Sequence, residues 1–336
     1  MDDDAARPGT ARLPVPVSLL DRSRTRRGEA PGDALLGTVE RARRAEELGF
    51  RRFWVAEHHA VPGIASGSPP VLMAEVAART SRIRVGSGGV MLAHHRPIVV
   101  AEQARMLEAL HPGRIDLGLG RSLGFTAPVR RALGVERYGP ERFAEDLAAV
   151  FAYLDDDGPV TAMPRGVDPP PVLVLATGSG LGVAARLGLP VVVGGPLLRG
   201  DLEPLSAYRE AFRPSDRCAE PQVIISLDVM IAATRQEARE LLLPEAWAMA
   251  ESRATGAFPP LRPDPPERLT ARQEGVVEQQ LALSVHGTAE DVTHELTRLV
   301  ERTGAVEVLA STSTYDRDAL AQADAALAAL RGDGLT

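Results

Sequence analysis

The residues most suited to ligand binding lie in two glycine-rich turns, one of which carries an arginine. The turn 86–89 (GSGG) follows the apolar run 83–85, and the turn 118–121 (GLGR) follows the run 115–117. Apolar residues recur at helical spacing between them, which predicts a strand, a helix and a second strand. Because a parallel crossover returns the second strand beside the first, both turns should open on one edge of the sheet. The sequence thus predicts a site of bare backbone and one guanidinium, Arg121, which suits phosphate oxygens.

A third glycine turn, 177–180 (TGSG), precedes a predicted helix over 182–187. The first N–H groups of a helix lack partners within the helix and attract anions, so Gly178, Ser179 and Gly180 are candidates to bind the same phosphate. One glycine turn alone is weak evidence, because such turns are common. Two such turns at strand ends, one of them carrying Arg121, favour an anion site.

Histidines at the end of another predicted strand supply a group that can transfer a proton. Glu57-His58-His59 comes directly after an apolar run. His58 can act as a general base, although a histidine at a strand end can equally be structural and hydrogen-bonded. No metal site is predicted. Neighbouring residues on a strand point to opposite faces, so His58-His59 and His94-His95 are poorly placed as chelating pairs.

The elements that must position these residues alternate between strand and helix along the chain. Eight strands are predicted, at 13–20, 53–56, 83–85, 115–117, 172–175, 189–193, 223–231 and 306–310. Eight strand–helix pairs are typical of a (β/α)8 TIM barrel rather than an open doubly wound sheet. Residues 1–12 are interpreted as a disordered leader, and 13–332 as one barrel domain. The Pro-rich stretch within 256–285 is interpreted as an insertion that acts as a lid.

The amino-acid composition limits the kinds of partner that the protein is expected to bind. Among 336 residues the formal net charge is −7, only 4% are aromatic and there is one cysteine, Cys218. A net negative chain with few aromatic residues offers no general attraction for nucleic acid or anionic lipid, so neither partner is predicted. A single cysteine excludes an intramolecular disulfide framework, and no targeting pattern is recognised. The expected location is cytoplasmic.

Several segments together resemble the bacterial luciferase-like flavin monooxygenases. These segments are VAEHH at 55–59, IRVGSGGVML at 83–92, HRP at 95–97, AEQ at 101–103, HPGRIDLGLGR at 111–121, AARLGLP at 184–190, YREAFRPS at 208–215 and the closing STSTYDRDAL. The resemblance implies a TIM barrel that binds reduced FMN or a deazaflavin at the carboxyl ends of its strands. It also implies a homodimer packed through the helices that follow the second and third strands.

The resemblance also assigns roles to residues. It implies that His58 lies beside the flavin ring as base or stabiliser, and that Gly88 and Gly89 are joined by a cis peptide behind the ring. It implies that Arg121 contacts the FMN phosphate, and it extends the cofactor-binding set to Ser122, Leu123 and the turn Gly178, Ser179 and Gly180. Two departures are visible. ATGSGLGVAARLGLP is one residue shorter than the corresponding segment of many relatives, and Ala93 and His94 stand where proline and asparagine are commonly seen. His94 is interpreted as a surface residue.

The implied activity is oxygenation of a small organic substrate by reduced FMN and O2 through a flavin hydroperoxide. A separate flavin reductase is expected to supply the reduced FMN, because the chain has no recognisable nicotinamide fingerprint. Two alternatives stay open: hydride transfer by a deazaflavin, and a non-catalytic flavin-binding partner subunit.

Overall fold

A computed structural model describes residues 12–124, 126–176 and 178–332 of the chain. The predicted leader therefore lies, apart from Arg12, outside the described residues. The β-strands are β1 Val17–Asp21, β2 Arg52–Val55, β3 Arg84–Ser87, β4 Val90–Met91, β5 Ile115–Gly120, β6 Val172–Leu175, β7 Val191–Gly194, β8 Val223–Leu227, β9 Val229–Ile231, β10 Val285–Gly287 and β11 Glu307–Ala310.

Eight parallel strands close into a barrel in the order β1–β2–β3–β5–β6–β7–β8–β11, with β11 pairing back onto β1. Strands β3 and β5 also pair, with Val85 opposite Ile115. Further along, β4 takes over the pairing with β5, and Val90 lies opposite Leu119. The predicted TIM barrel is confirmed.

Helices cover the outside of the barrel, and their apolar faces pack on the strands. They are α1 Pro31–Glu47, α2 Pro69–Ala78, α3 Pro97–Leu110, α4 Ala127–Ala132, α5 Pro140–Leu154, α6 Ser179–Leu187, α7 Glu203–Glu210, α8 Arg235–Thr255, α9 Ala271–Leu283, α10 Ala289–Thr303 and α11 Arg317–Ala329, with 3-10 turns at Leu92–His94 and Gly195–Leu198. No helix among the described residues is long and apolar enough to cross a membrane.

Two segments differ from the sequence prediction. The strand expected over 223–231 breaks at Asp228, because Val229–Ile231 leaves the barrel to form a separate two-stranded parallel sheet with Val285–Gly287. The Thr312 hydroxyl accepts a hydrogen bond from the N–H of Val229 at 2.8 Å and donates one to its carbonyl at 2.7 Å, which fixes the point of departure. In the segment 256–285, interpreted as an insertion, only the Pro-rich first part is irregular; it is followed by a regular helix, α9, which packs on α8.

Side chains fill the interior of the barrel in two layers. Towards the amino ends of the strands, Arg52 donates to Asp116 at 3.0 Å and lies 2.8 Å from Glu307. Arg84 completes this layer with a 2.7 Å bond to Asp116, whose side chain is fully buried. Paired charges with satisfied hydrogen bonds are the form in which buried ions are tolerated.

The layer above it is apolar. It contains Leu20, Trp54, Ala56, Leu173, Leu175, Val192, Ile224 and Leu309. A methyl group at Gly86 would overlap the Trp54 indole, so the strand can pass this ring only with a glycine at that position. The two layers together form a solid floor beneath the carboxyl ends of the strands.

Candidate active site at the carboxyl ends of the strands

Glu57 is the centre of a buried hydrogen-bond cluster at the end of β2. Its Oε1 lies 2.6 Å from Nε2 of His59 and 2.8 Å from Nε2 of His95. Its Oε2 accepts a 2.8 Å bond from the backbone N–H of Met91 in β4. Burial raises the pKa of the Glu57 carboxyl, but the three hydrogen bonds outweigh it and lower the pKa to about 2. The carboxylate is therefore ionised and ties together the ends of two strands and the start of α3.

The sequence argument considered neighbouring histidines only and did not anticipate a contact between the two pairs. His59 and His95, one from each pair, converge on the same carboxylate oxygen. Their separations of 2.6 and 2.8 Å from Oε1 are those of hydrogen bonds, and are shorter than the roughly 3.3 Å expected between two ligands of a tetrahedral zinc ion. The geometry is that of a hydrogen-bonded carboxylate.

His58 lies among buried charges. Burial lowers the pKa of His58 to about 4, and the positive charges of Arg22 and Arg24 add to this effect against the opposing charge of Glu245. Its backbone N–H donates to the Ser66 carbonyl at 2.9 Å. His58 is therefore a neutral imidazole near pH 7, the form that can accept a proton.

The charges near His58 form a network that sequence reasoning missed. The Arg24 guanidinium donates to Glu245 at 2.7 Å, with both side chains 2% exposed. Arg22 lies 3.3 Å from the same carboxylate and donates to Asp228 at 3.2 Å. Burial raises the pKa of Asp228. Arg22 and Asp228 directly follow β1 and β8, and Arg24 lies in the loop after β1. Glu245 comes from α8.

The Pro-rich segment forms a wall beside this network. Leu261 donates a 2.9 Å backbone bond to Thr25 and accepts a 2.8 Å bond from Arg27. The N–H of Gly63 donates to the Phe258 carbonyl at 2.7 Å, and the Arg24 guanidinium lies 4.3 Å from the centre of the Phe258 ring. The segment 256–270 is thus joined by backbone bonds to the loops that follow β1 and β2.

The glycine turn between β3 and β4 is half-buried at the mouth of the barrel. The peptide bond between Gly88 and Gly89 is cis, as the resemblance implied. A methyl group at Gly88 would overlap Leu20, and one at Gly89 would lie 2.8 Å from the Gly118 carbonyl oxygen. At Gly89 the obstacle is backbone, so this position requires glycine for packing reasons alone, whereas a side chain at Gly88 would have to displace Leu20.

The predicted anion site brings together two distant turns. The Arg121 guanidinium donates to the Ser179 hydroxyl at 2.9 Å, although 58 positions separate them. Gly178 caps α6 with φ of 55°, and a positive φ favours glycine. Ser122 is exposed, Leu123 is half-buried and Gly180 is buried. Within the described residues, Arg121 makes no ion pair.

His94 is not the surface residue that the sequence suggested. It is half-buried, and its ring lies edge-on to that of His59 at 6.0 Å between centroids. Burial lowers the pKa of His94, and the neighbouring His59 adds to this effect. The ring therefore belongs to the same cluster as Glu57.

A parallel barrel with its histidines, glycine turns and arginine gathered at the carboxyl ends of the strands has the organisation of an enzyme. The sequence model of the luciferase-like monooxygenase family matches residues 15–307. The chain belongs to this family and is an enzyme, as the resemblance in sequence implied.

Named relatives agree with this assignment. A luciferase-like monooxygenase of Escherichia coli K12 is 33% identical over 315 residues, which cover 91% of this chain and 93% of that protein. The N-acetyl-S-alkylcysteine monooxygenase of Bacillus subtilis 168 is 36% identical over 303 residues, covering 85% and 89%. The structure of apo-MsnO8 superposes with a TM-score of 0.83 at 33% identity, covering 94% of this chain and 97% of that one.

More distant structures share the fold and differ in cofactor. The oxygenating constituent of 3,6-diketocamphane monooxygenase from Pseudomonas putida, in complex with FMN, has a TM-score of 0.67 at 17% identity, and covers 94% of this chain and 96% of that one. An F420-dependent secondary alcohol dehydrogenase has a TM-score of 0.66 at 18% identity, covering 93% and 99%. The fold therefore accommodates either a flavin or a deazaflavin.

Proposed function

We propose that the protein is a monooxygenase that uses reduced FMN and O2 to oxygenate a small organic substrate at the carboxyl end of the barrel. The observation that carries this proposal is the convergence of Arg121 and Ser179 at one side of the mouth, with the Gly88–Gly89 turn and His58 further along it. Arg121 and Ser179 suit the phosphate of a flavin, and the glycine turn offers its ring a backbone without side chains. The neutral imidazole of His58 can exchange a proton.

The phosphate would bind between Arg121 and the start of α6. Arg121 carries an unpaired positive charge among the described residues, and Ser179 opens a helix whose first N–H groups favour an anion. Ser122, Leu123, Gly178 and Gly180 line the two turns and would complete this end of the site. Thr177, which the sequence placed in the same turn, lies outside the described residues.

The ring would lie against Gly88 and Gly89, which carry no side chains of their own. When bound, reduced FMN supplies the activation of O2. His58, neutral at pH 7, would accept or hold a proton beside the reacting atoms. The wall formed by residues 256–270 would keep water from this part of the mouth. A separate reductase and a cytoplasmic location remain part of the proposal.

Replacing Arg121 with alanine tests the cofactor site. We expect the affinity for reduced FMN to fall by about 10- to 100-fold, because a charge-assisted bond to phosphate is lost, while the weaker affinity for riboflavin, which has no phosphate, stays unchanged. Anaerobic titration followed by absorbance measures both. The exposed Arg165 offers a matched Arg165→Ala control with wild-type affinity.

The same titration separates the alternatives. Saturable binding of F420 without binding of reduced FMN would replace the proposal with deazaflavin hydride transfer. Binding of FMN with no substrate oxidised would favour a partner subunit. The relative named for N-acetyl-S-alkylcysteines makes carboxylate-bearing thioethers the first substrates to test.

We further propose a homodimer that packs through α2 and α3. Large apolar side chains are exposed on this side of the molecule, with Val71 at 71%, Met106 at 56% and Leu110 at 67%. Such a group of exposed apolar side chains is typical of an interface. Sedimentation equilibrium should give a mass of two chains, and a mass of one chain would contradict the proposal.

A further inference from the structure

The cluster of Glu57, His59 and His95 has a charge property that the proposed reaction does not use. Glu57 is a buried carboxylate, and two imidazoles contact one of its oxygens. With both imidazoles neutral, the cluster carries one negative charge. With one imidazole protonated, the charges cancel across a hydrogen bond that is already formed, so the cluster can hold one additional proton without losing a contact.

The cluster lies next to the surface on which a flavin ring would rest. Met91, which donates to Oε2 of Glu57, is two residues beyond Gly89. The other titratable group packed on the cluster is His94, edge-on to His59. His58 also faces Glu57, and beyond it lie Arg22, Arg24 and Glu245.

We propose that Glu57, His59 and His95 form a proton-accepting site that takes up one proton when the anionic, reduced form of a flavin binds beside Gly88 and Gly89, and that this uptake makes the affinity for reduced flavin, but not that for oxidised flavin, depend on pH. The inference rests on the proposed function, since it requires that a flavin binds at this mouth.

The physical basis is the charge of the two redox forms. A reduced flavin ring loses a proton near neutral pH and becomes an anion, whereas the oxidised ring is neutral. A buried carboxylate opposes a second negative charge nearby, because the interior screens charges far less than water does. Protonation of one imidazole removes that opposition for the anion and brings no advantage to the neutral ring. Proton binding and binding of the reduced ring must then strengthen each other equally.

Titration calorimetry of the whole protein measures the uptake directly. Reduced FMN, kept anaerobic, and oxidised FMN are each titrated at about pH 8 in two buffers with different ionisation enthalpies. At this pH the phosphate of FMN has lost its second proton and the free reduced ring is already an anion, so uptake that disappears when both imidazoles are replaced belongs to the imidazoles. We expect about one proton for reduced FMN and close to none for oxidised FMN. The affinity for reduced FMN should then fall about tenfold for each unit of rising pH.

Two variants remove different components of the coupling between proton uptake and the binding of reduced FMN. Glu57→Gln keeps the acceptor oxygen and removes the charge, so uptake should vanish and the affinity for reduced FMN should become independent of pH. The double variant His59→Gln/His95→Gln keeps the charge and removes both proton acceptors, so reduced FMN should bind at least tenfold more weakly and oxidised FMN should be little affected. Glu210→Gln, at an exposed residue of α7, is the matched control with wild-type uptake.

Each outcome distinguishes proton uptake by the cluster from a purely structural role of Glu57. A purely structural role for Glu57 predicts that the variants weaken both redox forms equally, and that result would overturn the inference. Equal uptake for both redox forms, or uptake that persists in Glu57→Gln, would also overturn it. If wild-type protein binds neither form, the proposed function fails and this inference fails with it, whereas binding without uptake contradicts the inference alone.

Discussion

Replacing Glu245 with alanine is expected to lower the free energy of unfolding by about 3–5 kcal/mol. This carboxylate is 1% exposed, accepts a 2.7 Å bond from Arg24 and lies 3.3 Å from Arg22. Its removal leaves two guanidinium groups in the interior without their main partner, and a buried charge without a partner costs several kcal/mol. Urea denaturation followed by circular dichroism measures the loss.

The same variant should loosen the wall beside the site. Arg24 also donates to the carbonyls of Gly63 and Pro259, so its displacement removes bonds that hold residues 256–270 in place. Limited proteolysis should therefore cut this segment faster in Glu245→Ala than in wild type. The exposed Glu240 on the same helix provides the control, because Glu240→Ala should change stability by less than about 0.5 kcal/mol. A loss below about 1 kcal/mol for Glu245→Ala would contradict the account.

Replacing His58 with alanine is expected to reduce the rate of substrate oxidation by about 10²- to 10⁴-fold, the usual contribution of a positioned acid–base group. The measurement is substrate oxidation at saturating reduced FMN, with the thioethers suggested above as first substrates. Flavin affinity should change little, because the proposed phosphate contacts lie elsewhere. His294, exposed on α10, offers the control His294→Ala with wild-type activity.

The pH dependence of the wild-type rate tests the same role independently. Burial, together with Arg22 and Arg24, lowers the pKa of His58 to about 4, so the imidazole stays neutral throughout the range in which an ordinary histidine would gain a proton. The contribution of neutral His58 should stay constant from about pH 8 to about pH 5 and decline only as pH approaches 4. An acidic limb near pH 6.5 that disappears in His58→Ala would show that His58 titrates normally and that the charge network does not act on it.

Much of the fold could be predicted because its signals are local. Most barrel strands lie in short apolar runs, and the crossover helices carry apolar residues at helical spacing. The break at Asp228 could not be predicted in this way, because the sequence VIISLDVMI is apolar on both sides of the break. What draws Val229–Ile231 out of the barrel is a distant strand, Val285–Gly287, and the hydroxyl of Thr312.

The site was predictable where a rule of topology connects distant segments. Arg121 and Ser179 follow two strands of one parallel sheet, so their meeting follows from the position of both turns at strand ends. The meeting of His59 with His95 was missed, because the alternation of side chains along one strand says nothing about a partner from the next strand. Glu245 carries no signal at all, since one acidic residue in a helix gains its role only from the arginines that it contacts.

The filled interior of the barrel affects the order in which cofactor and substrate can bind. The charged layer around Asp116 and Glu307, which are 0% and 1% exposed, and the apolar layer above it fill the barrel interior, so the site is approached from the carboxyl-end mouth. Cofactor, substrate and product must share that entrance. In the proposed arrangement, a flavin ring against Gly88 and Gly89 would lie at the bottom of the mouth, with substrate above it. Turnover should then follow a compulsory order in which the cofactor is first in and last out.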